Sequence, residues 1–238
     1  MYKKIIIFGF PHSGTTILRN IISHIENVYE IVDEEKEIDD NNSDYTNYDF
    51  VLCKWPYLID ENTLLKDYSD YIKIFIIRNP IYIFSSLNKR FQDVELDERH
   101  NINKYIDTIK EFNNLKNTKN IDKLFLIKYE DMFECNYKNL KYIFDEIGFN
   151  YNDDIFDNSN YINKVQFGKD LIIPKERPLD NCHIEYRLFQ INQKFENNND
   201  KNKISLTESQ QQILTTDTNI LEVYPEIRLL LLKQSDTL

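Results

Sequence analysis

The 238-residue sequence predicts an α/β fold with three layers, α/β/α, in which helices cover both faces of a central parallel sheet. Short apolar runs rich in β-branched residues alternate with longer segments whose apolar residues recur every three or four positions. The length and a hydrophobic content of 41% are sufficient for one complete core. We therefore expect a single domain over residues 1–238.

The overall charge and the hydropathy pattern exclude several classes of protein. A formal net charge of -11 argues against a general nucleic-acid binder, because phosphate neutralisation needs a basic surface. No apolar stretch approaches the roughly 20 residues of a membrane span, and the N-terminus leads directly into a strand pattern instead of a signal peptide. We expect a soluble, cytoplasmic protein with no membrane partner. The three cysteines lack the spacing of a zinc site, so no metal is expected.

The first strand pattern, residues 5–7, is followed by a turn bracketed by Gly9 and Gly14 and then by a helix pattern that should end near Asn27. Backbone N–H groups in such a turn cradle phosphate at a helix N-terminus, which predicts an anionic, nucleotide-like ligand. The glycine spacing is that of a Walker A loop, but Thr15 stands where that loop has its phosphate-binding lysine. An ATP or GTP hydrolase, or a kinase of the P-loop type, is therefore disfavoured. The alternative is that the loop hydroxyl groups only cap the helix.

The hexapeptide Pro11-His12-Ser13-Gly14-Thr15-Thr16 resembles the 5′-phosphosulfate loop of sulfotransferases that use 3′-phosphoadenosine 5′-phosphosulfate (PAPS). The resemblance implies a P-loop-like cradle in which all six residues bind PAPS and, after transfer, its product PAP. The family usually has Lys or Arg at the position of His12. This histidine is therefore a candidate for offsetting charge on the leaving phosphate, although its ordinary pKa near 6.5 leaves it only partly protonated at neutral pH.

An acidic cluster at residues 30–37 follows the first helix pattern. Most such clusters are solvated surfaces, but sulfuryl transfer to an alcohol needs a base to accept the hydroxyl proton. In tyrosylprotein and some carbohydrate sulfotransferases, the base resembles a Glu in this region. Asp33, Glu34 and Glu35 are the candidates here, and Glu34 is the first choice.

Residues 50–53 form the next strand pattern, which ends in Lys54-Trp55-Pro56-Tyr57. Cytosolic sulfotransferases carry Lys-x-His here, with the His as catalytic base, whereas this chain has Pro56 in place of that His. The missing histidine shifts the role of base toward the acidic cluster. Lys54 is a candidate electrostatic partner of the transferring sulfuryl group, and the alternative is a lysine that extends to the surface.

The strand pattern at residues 71–77 is followed by Arg78-Asn79-Pro80 and then by a helix pattern that contains Ser86. Sulfotransferases hold the 3′-phosphate of the cofactor with an Arg of Arg-Asn-Pro and a Ser eight positions later. The match assigns this role to Arg78 and Ser86, and an arginine fork does form bidentate, charge-assisted bonds with phosphate. The alternative is that Arg-Asn-Pro only ends a strand and starts a helix.

The remaining patterns continue the alternation of helices and strands. An amphipathic helix is predicted over residues 97–119, a strand over 124–127, a helix over 139–148 and a helical region over 213–232. Tyr129-Glu130-Asp131, after that strand, also resembles the family and implies that Tyr129 lies against the adenine. Residues 150–203 lack periodicity and are predicted to form a lid or irregular segment on the acceptor side.

These motifs predict a PAPS-dependent sulfotransferase that transfers a sulfuryl group to a hydroxyl acceptor by in-line displacement. The acceptor would be a small alcohol, a glycan or a tyrosyl peptide. The first alternative is a catalytically inactive protein of the same fold that binds PAP or another nucleotide. The second, weaker alternative is a P-loop kinase.

Overall fold

Five parallel strands form one sheet in the order β2-β3-β1-β4-β5. The computed structural model describes residues 2–31, 34–91, 98–157, 194–200 and 204–235. The strands are β1 (Lys3–Gly9), β2 (Val28–Glu30), β3 (Phe50–Trp55), β4 (Tyr71–Ile77) and β5 (Leu124–Lys128). Asp33 and most of the predicted lid, residues 158–193 and 201–203, lie outside the described residues.

Helices follow the strands in the described part of the chain. They are α1 (Thr15–Ser23), α2 (Glu61–Asp67), α3 (Pro80–Arg90), α4 (Ile102–Asn117), α5 (Lys138–Ile147), α6 (Glu208–Thr216), α7 (Thr218–Val223) and α8 (Ile227–Ser235). Short 3₁₀ turns span Ser43–Asn47, Glu130–Met132 and Asp153–Phe156.

Alternation along the central strands divides the core into two layers. In β1, Ile5 and Ile7 face one layer, which contains α1 and α5, while Ile6 and Phe8 face the other. The second layer contains apolar residues of α2, α3, α4 and the C-terminal helices α6 to α8. All four of these β1 side chains are fully buried, as expected for a parallel sheet that is covered on both faces. The predicted three-layer α/β/α class is therefore confirmed.

Two elements escaped the sequence analysis, and two helix ends were placed wrongly. Strand β2 has only three residues, and α2 has seven, so neither gives a clear periodic pattern. Helix α1 ends at Ser23, before the predicted end near Asn27. Helix α4 begins at Ile102 because the Asn101 side chain caps it, accepting a hydrogen bond from the Lys104 N–H, and not at residue 97.

The order of the sheet creates a crevice at its carboxyl edge. β1 and β4 are neighbours, with Gly9 opposite Ile76, but the helices that follow them lie on opposite faces of the sheet. The loops after these two strands therefore diverge, which is the arrangement at which open α/β sheets bind ligands. The predicted phosphate loop follows β1, and Arg78 follows β4.

Candidate functional site

The loop between β1 and α1 is shaped by two glycines that approach their neighbours closely. A Cβ atom on Gly9 would lie 2.1 Å from the carbonyl oxygen of Ile76, which belongs to the adjacent strand. Gly14 adopts the left-handed conformation, with φ of 98°, and a Cβ there would lie 2.4 Å from the ring of Tyr129. The loop backbone therefore packs against β4 and against the residue after β5, which fixes its position above the sheet edge.

Replacing Gly14 by alanine is expected to destabilise the protein more than the same change at Gly148. Both glycines have positive φ, but a Cβ on Gly148 would meet only the flexible end of Lys3, at 4.0 Å. Gly148→Ala should therefore cost about 1–2 kcal/mol, from backbone strain alone. Gly14→Ala adds about 1–3 kcal/mol of overpacking against Tyr129. Thermal denaturation of both variants tests the difference, and equal losses would contradict the close packing.

The start of α1 presents hydrogen-bond donors at this edge. The Leu18 N–H donates to the carbonyl of Gly14, the N-cap residue of α1, so the N–H groups of the first turn have no carbonyl partner within the helix. Ser13 is completely buried, and within the described part of the chain its Oγ has no hydrogen-bond partner. A buried hydroxyl group without a partner is costly, and phosphate oxygens would satisfy it. Thr15 and Thr16 are also buried, in the first turn of α1.

Arg78 and Ser86 both reach His12, in the middle of the phosphate loop. Arg78 Nη1 donates a hydrogen bond to the His12 carbonyl oxygen over 3.2 Å, and Ser86 Oγ lies 3.3 Å from His12 Nδ1. Asn79 positions this region by capping α3, where its side chain accepts a hydrogen bond from the Ile81 N–H, and Pro80 occupies the first helical turn. The structure thus brings together the two motifs that the sequence assigned to opposite ends of one ligand.

His12 has an unusually low pKa. Burial of the ring lowers its pKa to about 3, with further contributions from the positive charges of Arg90, His100 and Arg78. The imidazole is therefore neutral at neutral pH, not partly protonated as its ordinary pKa suggests. The backbone of His12 is also left-handed, with φ of 67°.

Lys54 links the acidic cluster to the phosphate loop. Its Nζ donates hydrogen bonds to Glu34 Oε1 over 3.0 Å and to Thr16 Oγ1 over 3.1 Å. The lysine is only 4% exposed, which excludes the surface lysine that was the alternative. A buried ammonium group needs a charged partner, and Glu34 provides one while its own side chain stays about one third exposed, at 36%. Glu35 is exposed, at the outer side of this cluster.

Tyr129 packs between the phosphate loop and Arg78 and is 2% exposed. The guanidinium carbon of Arg78 lies 4.2 Å from the centre of its ring, and Gly14 packs against the edge of the ring. The hydroxyl group donates to the Glu196 carbonyl and accepts from the Asn198 N–H. In this structure the ring packs against protein, and its contact with adenine stays a prediction.

Three residues near the site were missed by the sequence analysis. Asn199 accepts a hydrogen bond from Arg78 Nε over 2.8 Å and donates one to Glu130, whereas the sequence analysis placed it only in the irregular segment of residues 150–203. The ring of His100 lies 6.4 Å from that of His12. Arg90 follows Ser86 by four residues on α3, and this helical spacing was the one signal that could have revealed it.

Comparison with solved structures identifies the fold. Mouse sulfotransferase SULT7A1, solved in complex with PAP, superimposes with a TM-score of 0.58 at 17% sequence identity, over 96% of this chain and 88% of that one. The described chain has the sulfotransferase fold. Retinol dehydratase, solved with retinol and PAP, is also similar, with a TM-score of 0.40 at 14% identity over 70% of this chain and 65% of that one.

The comparisons based on sequence found no match. No protein-family profile matches the chain, and no curated protein matches its sequence. Within the described residues, no group of three or more His, Cys, Asp and Glu side chains could hold a metal ion. No helix in the same part of the chain is both long enough and apolar enough to cross a membrane.

Proposed function

We propose that this protein is a PAPS-dependent sulfotransferase that acts on a hydroxyl acceptor. The observation that carries the proposal is the convergence of Arg78 and Ser86 on His12, which brings both anion-binding motifs to one crevice at the sheet edge. A ligand with phosphate groups at two positions of one nucleoside would engage both motifs. PAP in the crystal of the mouse sulfotransferase of the same fold supports this choice of ligand.

Each end of the ligand would meet a different set of donors. The N–H groups at the start of α1, together with the Ser13, Thr15 and Thr16 hydroxyl groups, would hold the 5′-phosphosulfate. The Arg78 guanidinium and the Ser86 hydroxyl group would hold the 3′-phosphate. The Ser13 Oγ supports this fit, since it is a buried hydroxyl group with no hydrogen-bond partner among the described residues. PAPS supplies an activated sulfuryl group.

The residues beside the loop would then assist a single displacement. As the acceptor oxygen forms its bond to sulfur, the bond between sulfur and the 5′-phosphate oxygen breaks, and PAP leaves with the electron pair. Glu34 would take the acceptor proton. Lys54, bonded to both Glu34 and Thr16, would stabilise negative charge on the sulfuryl oxygens, and His12 would stabilise it on the leaving phosphate. By analogy with sulfotransferases that use a carboxylate base, the acceptor would be a glycan, a tyrosyl peptide or a small alcohol.

Calorimetry with PAP, ATP and GTP tests the ligand. We expect PAP to bind and the two triphosphates to bind far more weakly, because the loop lacks the lysine that triphosphate-binding loops use. Binding of ATP with no binding of PAP would overturn the proposal in favour of a kinase-like protein.

Turnover tests the reaction. The protein, PAPS and a panel of alcohols, glycans and tyrosyl peptides are incubated, and sulfated products are detected by mass spectrometry. The neutral His12 and the Pro56 that replaces a catalytic histidine favour a second candidate, a non-catalytic PAP-binding protein. Tight PAP binding without product formation across the panel would support that candidate.

A further inference from the structure

The charged groups around His12 extend beyond the two predicted motifs. After burial, the groups that lower its pKa are Arg90, His100 and Arg78, and all of them are cationic or can become so. They come from different elements: α3, the segment before α4 and the turn after β4. In a chain with a net charge of -11, a local concentration of positive charge at one crevice is a specific feature.

Arg90 is held on the same side of α3 as Ser86. Residues four apart on a helix are neighbours on its surface, with Cβ atoms about 6 Å apart. Ser86 already contacts His12, and the Arg90 guanidinium lies 5.3 Å from the ring centre of Phe91. The His100 ring lies 5.7 Å from that same phenyl ring and 6.4 Å from His12. Phe91 thus anchors both Arg90 and His100 at the edge of the crevice.

We infer that Arg90 is a further binding residue for the 3′-phosphate of adenosine 3′,5′-bisphosphate, beside Arg78 and Ser86. The inference rests on the proposed function and extends it. Arg78 uses its Nε on Asn199 and its Nη1 on the His12 carbonyl, so part of its fork is already engaged within the protein. A phosphate dianion at this place would gain a second guanidinium from the next turn of α3. Arg90 is exposed, and its long side chain could turn from the helix end toward such a phosphate.

The neighbouring Lys89 offers a matched control. It is also exposed, carries the same charge and belongs to the same last turn of α3, but it projects about 100° away around the helix. Arg90→Gln and Lys89→Gln therefore change the net charge and the helix terminus equally. Both residues are neighbours of Ser86 on the helix surface, but of the two only Arg90 is among the charges that lower the pKa of His12, so a difference between the two variants reports position and not charge.

Calorimetry with PAP and with AMP, which lacks the 3′-phosphate, tests the inference. We expect Arg90→Gln to weaken PAP binding about tenfold and to leave AMP binding unchanged, while Lys89→Gln alters neither ligand appreciably. Thermal denaturation confirms that all three proteins are folded.

Two results would overturn the inference while leaving the proposed function intact. One is PAP binding of wild-type strength in Arg90→Gln, and the other is an equal loss of PAP and AMP affinity, which would locate Arg90 near the 5′-phosphate or report general charge. If the wild-type protein fails to prefer PAP over AMP, the proposed ligand itself is wrong. The measurement on the wild-type protein therefore distinguishes a failure of the inference about Arg90 from a failure of the proposed function.

Discussion

Glu34→Gln is expected to lower kcat by about 10²- to 10⁴-fold, the usual contribution of a general base, while PAP affinity stays unchanged. Glutamine keeps the shape of the side chain, and its carbonyl oxygen can still accept the 3.0 Å hydrogen bond from Lys54. The substitution therefore removes proton acceptance without opening the site. Steady-state assays with the best acceptor measure kcat, and calorimetry measures PAP affinity separately.

Glu35→Gln is the matched control for this experiment. Glu35 belongs to the same acidic cluster but is exposed, and the hydrogen bonds of Lys54 go to Glu34 and Thr16 instead. Its removal should leave kcat near the wild-type value. Full activity in Glu34→Gln would exclude Glu34 as the base, and Asp33→Asn, in the same cluster, would then be the next variant to assay.

The fold was predictable because its signals are local and repeated. The buried runs of β1, β3 and β4 are long enough to stand out, and their alternation with helices predicts a parallel sheet that is covered on both faces. The three-residue β2 carries no period of its own. Tertiary contacts hold this strand in place. The Asn27 carbonyl, just before β2, accepts hydrogen bonds from the backbone N–H groups of the residue before β3 and of the first residue of β3. Arg19 also forms an ion pair with Glu30, at 2.7 Å.

The site was only partly predictable. A motif can be recognised from a few adjacent residues, whereas the hydrogen bonds between motifs join residues that are far apart in the sequence. The sequence placed Arg78 and the phosphate loop at the same sheet edge, and the structure adds their contact through the His12 backbone. The bond between Lys54 and Glu34 joins residues 20 positions apart, across a segment without periodicity. Asn199, 121 positions from Arg78, gave no signal beyond its low-complexity composition. Such contacts depend on tertiary packing, and the pKa of His12 depends on them in turn.

His12→Ala is expected to lower kcat by about 10²- to 10³-fold, as loss of a charge-stabilising donor does, and to weaken PAP binding much less. The low pKa of His12 results from burial beside Arg90, His100 and Arg78. Bound phosphate groups would oppose these cations, so we expect the pKa of His12 to rise when PAPS binds and the imidazole to become a cation during transfer. Unchanged turnover in His12→Ala would remove His12 from the mechanism.

His12→Lys separates the charge of this residue from its shape. The ordinary pKa of lysine is about four units above that of histidine, so in the same surroundings its charge persists to a higher pH. The kcat of the wild-type protein should therefore decline as the pH rises through the bound-state pKa of His12, whereas the kcat of His12→Lys should hold over the range from about pH 6 to 9. Because positive charge is the property that the reaction needs, the lysine variant should exceed the wild type at the alkaline end, despite the left-handed backbone at this position. Identical alkaline limbs in the two profiles would mean that another group titrates there, and that His12 acts as a neutral hydrogen-bond donor.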